Sequence, residues 1–190
     1  MTEFVVPLTA AAAVDAERVG PKAANLAALA QAGLPTPGGF CLSADAYRAQ
    51  IAALGLGDLV ARFASADLVQ QRRLAVELRL ALYEQPIAPG ILAPLLAAWR
   101  NARKTSEGPS AVRSSALIED RKGSNFAGQF DSFLGIDDEA ALLTAVRAAG
   151  RRCGPRLRAA AWRTTPARPP TRPWPCSSSR WSTRAPPAAV

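Results

Sequence analysis

Histidine is missing from this sequence of 190 residues. A chain without imidazole cannot build a Ser-His-Asp triad, bind a metal through histidine or carry a phosphohistidine. Its three cysteines, Cys41, Cys153 and Cys176, lie far apart and show none of the paired spacings of a zinc site or a disulfide framework. We therefore expect no histidine-based catalysis within this chain, and a location in the reducing cytoplasm.

Long hydrophobic runs are also missing. No window approaches about eighteen uninterrupted apolar residues, and the N-terminus lacks a basic region followed by an apolar run. Hydrophobic residues make up 49% of the chain and charged residues 20%, which is typical of a globular protein. The composition predicts a globular protein without a membrane span or a secretory signal.

Acidic residues are absent from the last forty positions, which carry nine arginines. Residues 1–150 contain fourteen Lys and Arg and fifteen Asp and Glu, a net charge of −1, so the overall +8 arises within 151–190. We therefore infer no nucleic-acid binding for the body. The alternative is a non-catalytic module whose basic tail binds nucleic acid or an anionic surface, with a steep salt dependence that is lost when 151–190 are removed.

Hydrophobic periodicity and turn residues predict an α+β body over residues 1–150. The predicted strands are 4–8, 40–42, 110–115 and 130–135, and the predicted helices are 22–32, 44–54, 58–64, 67–84, 90–104 and 138–149. Ser43 is the expected cap of the second of these helices. On the longest helix we expect one buried stripe of leucines, formed by Leu68, Leu74, Leu78 and Leu82.

Residues 151–190 have a different composition. They contain eight of the sixteen prolines and three of the four tryptophans, and they show neither helical nor strand periodicity. We predict a disordered or poorly packed tail. One hypothesis is that it is translated out of frame: Trp has a single codon, so Pro173–Cys176 reads CCN-TGG-CCN-TGY, which gives apolar residues when read two bases into each codon. A genuine basic tail is the alternative, and sequencing of the gene separates the two.

Three features could bind an anion. Lys22 lies in a predicted first helical turn, Arg113 lies near the end of a predicted strand, and the small-residue loop 124–129 contains Gly128. Free N–H groups at a helix start, a guanidinium fork and a glycine-rich loop all suit phosphate oxygens. On residue type alone each has a plain structural reading: a solvated lysine, an arginine paired with neighbouring acids and a turn glycine.

Four motifs occur together in the order Val19–Leu26, Gly33–Phe40, Ala111–Ala116 and Ser124–Leu134. Together they resemble the N-terminal ATP-binding domain of the phosphoenolpyruvate synthase and pyruvate phosphate dikinase family, a domain shared with the rifampicin phosphotransferases. The resemblance covers about residues 1–150. It implies a partial ATP-grasp-like fold, in which this chain is the first of two subdomains with nucleotide between them.

The resemblance also assigns residues to the nucleotide. Lys22 and Arg113 match the family's phosphate-binding lysine and arginine, and the segment from Gly128 through Gln129 to Ser132 matches its glycine-rich phosphate-covering loop. Ser132 stands where the family often has threonine, and it keeps the hydroxyl. The expected ligand is ATP with Mg²⁺, whose protein ligands in the family lie outside this chain, and no catalytic or metal-binding residue is assigned here.

In that family ATP phosphorylates a histidine on a separate domain, which passes the phosphoryl group to pyruvate or to an antibiotic hydroxyl. This sequence contains neither that histidine nor an acceptor domain. The resemblance therefore implies the ATP-binding part of a phosphotransferase, inactive by itself, for which a second chain could supply the missing domains. The identity of the acceptor stays open.

Overall fold

The computed structural model describes residues 3–104, 108–116, 132–152 and 160–166. The strands are β1 Val5–Pro7, β2 Phe40–Leu42, β3 Ser110–Ala116, β4 Ser132–Ile136 and β5 Ala160–Pro166, and the helices are α1 Ala16–Val19, α2 Pro21–Gln31, α3 Ala44–Ala53, α4 Gly57–Ser65, α5 Leu68–Glu84, α6 Pro89–Lys104 and α7 Glu139–Arg152. A single 3₁₀ turn, Ala11–Val14, precedes α1. The α+β class is confirmed.

Local sequence signals explain where the helices begin. The Ser43 hydroxyl accepts a hydrogen bond from the Ala46 N–H at 3.4 Å, which confirms the predicted cap of α3. Asp67 caps α5 in the same way, by accepting from the Gln70 N–H at 2.8 Å. These caps satisfy N–H groups that the first helical turn leaves without a backbone partner.

The five strands form one antiparallel sheet in the order β1-β2-β5-β3-β4. β5 lies at its centre, where Arg163 pairs with Cys41 of β2 on one side and with Arg113 of β3 on the other. β1 and β4 form the two edges.

The position of β5 contradicts the prediction that no strand follows residue 150. Residues 156–165 contain no proline, so the argument from proline spacing does not apply to this segment. Pairing on both sides, rather than alternation of side chains, defines a central strand of this kind. Residues 167–190 lie outside the described part of the chain.

Two hydrophobic cores lie on opposite faces of the sheet. Phe40 and Leu42 belong to the larger core, which α3 to α7 complete, whereas Cys41 belongs to the smaller core, formed with β1, the 3₁₀ turn, α1 and α2. Successive residues of a strand point to opposite faces, so β2 divides the two cores. The helices of the smaller core also contact the inner strands of the sheet, α1 at β5 and α2 at β3.

Helix α5 contributes three of its four aligned leucines to the larger core. Leu74, Leu78 and Leu82 are buried, but Leu68 is more than half exposed. Leu68 is the first residue of the helix and lies about 120° around it from Leu74. The prediction of four leucines on one buried face was therefore wrong at Leu68.

No single helix in the described ranges has the length and apolar composition to cross a membrane. Only α5 and α6 taken as a pair meet these requirements, and they meet at an angle of 61°. Both helices contribute buried side chains to the larger core.

Candidate functional site

Arg113 and Ser132 lie directly opposite each other on neighbouring strands. Arg113 of β3 pairs with Ser132 of β4, and the next pair along is Val112 with Phe133. Val112 belongs to the larger core and Phe133 packs against it, so Arg113 and Ser132 lie on the other face of the sheet. Both residues are exposed. The structure therefore brings two of the predicted phosphate-binding residues together on the uncovered part of this face.

Lys22 lies in the first turn of α2, one of the helices that cover the same face of the sheet. Gly20 precedes this helix with a φ of 80°, Pro21 occupies its first position, and no side chain caps its start. Lys22 is exposed, and α2 contacts β3, the strand that carries Arg113. The start of α2 therefore offers N–H groups without a side-chain cap together with an exposed lysine, a combination that favours an anion.

Gly20 is a residue of this site that the sequence reasoning missed. Its positive φ lies in a region that side-chain-bearing residues rarely adopt, and its N–H donates to the Ala16 carbonyl at the end of α1. The glycine thereby connects α1 to α2 and sets the direction in which α2 begins. The signal in the sequence was the Gly20-Pro21 pair, because such pairs mark sharp changes of chain direction.

The loop between β3 and β4, residues 117–131, lies outside the described residues. Two predicted binding residues, Gly128 and Gln129, fall within it, as do Glu119 and Asp120, the neighbouring acids that the plain structural reading pairs with Arg113. Its two ends are fixed by Ala116, the last residue of β3, and Ser132, the first of β4.

The described residues contain no group of three or more Cys, Asp or Glu side chains that could hold a metal ion. What they do supply is positive charge, N–H donors and a hydroxyl, which are the groups that bind phosphate oxygens.

Comparison with known proteins agrees with this chemistry. Residues 16–165 match the family model described as the pyruvate phosphate dikinase AMP/ATP-binding domain. The chain is 36% identical over 134 residues to a phosphoenolpyruvate synthase of Neisseria meningitidis serogroup B, which covers 65% of this chain and 17% of the relative. It is 34% identical over 130 residues to a rifampicin phosphotransferase of Streptomyces sviceus, covering 66% of this chain and 15% of that protein.

A third relative is the prodigiosin synthesizing transferase PigC of Serratia marcescens, which is 37% identical over 140 residues, or 72% of this chain and 14% of the relative. The chain thus spans about one sixth of the length of these curated relatives. The match to the family model includes β2, β3, β4 and all of β5 except its last residue. The chain belongs to the pyruvate phosphate dikinase AMP/ATP-binding domain family.

Proposed function

We propose that this chain binds the phosphate groups of ATP at Arg113 and Ser132, on the uncovered part of that face of the sheet, as the ATP-binding part of a phosphotransferase. The observation that carries the proposal is the register that sets Arg113 opposite Ser132, on a strand that α2, the helix with Lys22 in its first turn, also contacts. The description of the family, an AMP/ATP-binding domain, supports ATP as the ligand. The residues provide the positive charge and hydrogen-bond donors that bind its phosphates.

Each residue has a distinct part in this proposal. Arg113 donates two parallel hydrogen bonds to one phosphate group, and Lys22 neutralises a neighbouring group as a mobile point charge. The Ser132 hydroxyl donates a further hydrogen bond, and Gly128 and Gln129 provide loop N–H groups over the phosphates. Binding of this kind orients the phosphates and offsets their charge, which is the main contribution of a protein to phosphoryl transfer.

In this proposal, the phosphoryl acceptor is bound by a part of the protein that this chain does not include. The chain has no histidine to carry a phosphoryl group, and it spans only about a sixth of relatives whose names refer to phosphoenolpyruvate, rifampicin and prodigiosin. The part that this chain shares with these relatives is thus the part that binds the nucleotide. We propose that Mg²⁺ arrives with ATP, that residues outside the described part bind it, and that the chain alone transfers no phosphoryl group.

Calorimetric titration with ATP and magnesium tests the proposal on the purified chain. We expect Lys22→Ala and Arg113→Ala each to weaken binding about tenfold or more, because each removes a charge-assisted contact worth about 1.5–3 kcal/mol. Lys104→Ala and Arg62→Ala are the matched controls, since they remove exposed charges of the same types at the end of α6 and in α4.

Equal loss of affinity in the controls would assign the effect to overall charge rather than to this site. Wild-type affinity in both Lys22→Ala and Arg113→Ala would show that the phosphates bind elsewhere. A folded wild-type chain that binds no ATP would mean that the rest of the nucleotide site is indispensable, and the proposal for the isolated chain would fail.

A further inference from the structure

Helix α5 carries a second apolar stripe on the face turned away from the core. Val69, Val76 and Tyr83 recur every seven residues, and Leu80 follows Val76 by four, so the four side chains line one face of the helix. Val69 is 68% exposed, Val76 52%, Leu80 51% and Tyr83 37%. Leu78 of the buried stripe is about 200° around the helix from Val76, so the two stripes face opposite ways.

Arginines surround the exposed stripe. Arg72 and Arg79 lie along one side of it and Arg73 along the other, and all three are exposed. None of them forms an ion pair with another described residue. From α7, Arg147 adds a fourth positive charge, since its guanidinium carbon lies 5.9 Å from the centre of the Tyr83 ring.

Two acids, Glu77 and Glu84, lie on the Arg73 side of the stripe, so the surface has four positive and two negative charges. A partner that covers the apolar side chains would bring its own flanking residues against these arginines. Acidic flanking residues would pair with them, whereas basic ones would be repelled.

We propose that the stripe, Val69, Val76, Leu80 and Tyr83 with its arginine rim, is a docking surface for an acidic amphipathic helix of a separate protein chain. An amphipathic helix buries its apolar face on such a stripe and sets its carboxylates beside Arg72, Arg79 and Arg147. The proposal does not depend on the nucleotide site.

Charge disfavours the two occupants that this chain could itself supply. Residues 167–190, which follow β5, carry four arginines and no acid, so they would meet the rim with like charge. A second copy that paired its α5 antiparallel to this one around Val76 would bring Arg72 of each copy close to Arg79 of the other. An acidic partner would not be repelled in either of these ways.

The test is fluorescence anisotropy with two designed helical peptides that share a leucine face and differ in having glutamate or lysine at the flanking positions. We expect the wild-type chain to bind the glutamate peptide at least about tenfold more tightly than the lysine peptide. Leu80→Ser should weaken binding of the glutamate peptide several-fold. Leu34→Ser, which changes an equally exposed leucine outside α5, should leave it unchanged.

A charge swap provides the decisive comparison. The double variant Arg72→Glu with Arg79→Glu should lose its preference for the glutamate peptide and gain affinity for the lysine peptide. Equal binding of both peptides by the wild-type chain, or no binding of either, overturns the proposal. Sedimentation that shows a dimer lost in Leu80→Ser would assign the stripe to a second copy and would overturn it as well.

Discussion

At the scale of single residues, Gln50 shows how one buried polar side chain fixes a loop. It is only 3% exposed, and it donates from Nε2 to the Pro86 carbonyl at 2.9 Å while Oε1 accepts from the Ala88 N–H at 2.8 Å. Gln50 thereby satisfies both backbone groups of the segment that joins α5 to α6. Such a paired contact is costly to remove, because each backbone group is then left without a partner.

Replacement of Gln50 by alanine should therefore lower the free energy of unfolding by about 1–3 kcal/mol. Urea denaturation of Gln50→Ala measures the change, with Gln70→Ala as the control, because Gln70 is an exposed glutamine of a neighbouring helix. An equal effect of the two substitutions would show that helix composition, and not the loop contact, is responsible.

At the scale of secondary structure elements, an ion pair links α6 to α7. Arg100 donates from Nε to Oε1 of Glu139 at 2.6 Å and from Nη2 to Oε2 at 3.0 Å. These hydrogen bonds hold the pKa of Glu139 below its ordinary value of 4.5, with a smaller contribution from the charge of Arg100. The Glu139 carboxylate is therefore protonated less readily in the folded protein than in the unfolded chain. The contact stabilises the fold at a pH above the ordinary pKa of Glu139, and this stabilisation is lost as the pH falls through the lowered pKa.

Unfolding measured from pH 6 down to pH 3 should show this loss in the wild-type chain. Glu139→Gln should depend less steeply on pH over the acid end of that range, because it removes the titrating group. Glu77→Gln removes an exposed carboxylate that is in no ion pair with a described residue, and it should keep the wild-type slope. Parallel curves for the wild-type chain and Glu139→Gln would contradict the assignment.

The elements differ in how far the sequence alone could predict them. The long helices and β2, β3 and β4 follow from periodicity, caps and turn residues, and their ends shift by only a few residues. α1 and the 3₁₀ turn are single turns, too short for a periodic signal. β5 depends on pairing between two distant strands, which no local pattern encodes.

The same distinction applies to the site. Arg113 and Ser132 were expected from motifs, and their opposition across two strands follows once the register is known. The sequence marked Gly20 as a turn residue but gave no reason to assign it to the site. Its role in setting the direction of α2 became clear only from its observed φ. The sequence also placed Lys22 in a first helical turn, and only the structure shows that its helix, α2, contacts β3, the strand of Arg113.

At the scale of the whole molecule, the central position of β5 makes the C-terminal part of the described chain essential to the sheet. Without β5, β2 and β3 lose their common partner, and two separate strand pairs remain. Two-stranded pairs are marginally stable, and their open edges promote aggregation.

A chain that ends at residue 150 should therefore aggregate or fail to unfold cooperatively, whereas a chain that ends at residue 166 should unfold in one transition. Circular dichroism during heating, together with light scattering, compares the two. Cooperative unfolding of the shorter chain would show that residues 1–150 fold alone, and it would support the predicted boundary at 150. A shorter chain that collapses would place the boundary after β5.

The strand order also sets a sequence of events during synthesis. β1 and β2 leave the ribosome early, β3 and β4 follow, and the strand that separates these pairs in space is made last. Neither β2 nor β3 can pair with β5 until residues 160–166 have been synthesised, so a strand edge of each has no native partner before then. Translation that pauses before residue 160 would thus prolong the interval in which this protein is most exposed to chaperones and proteases.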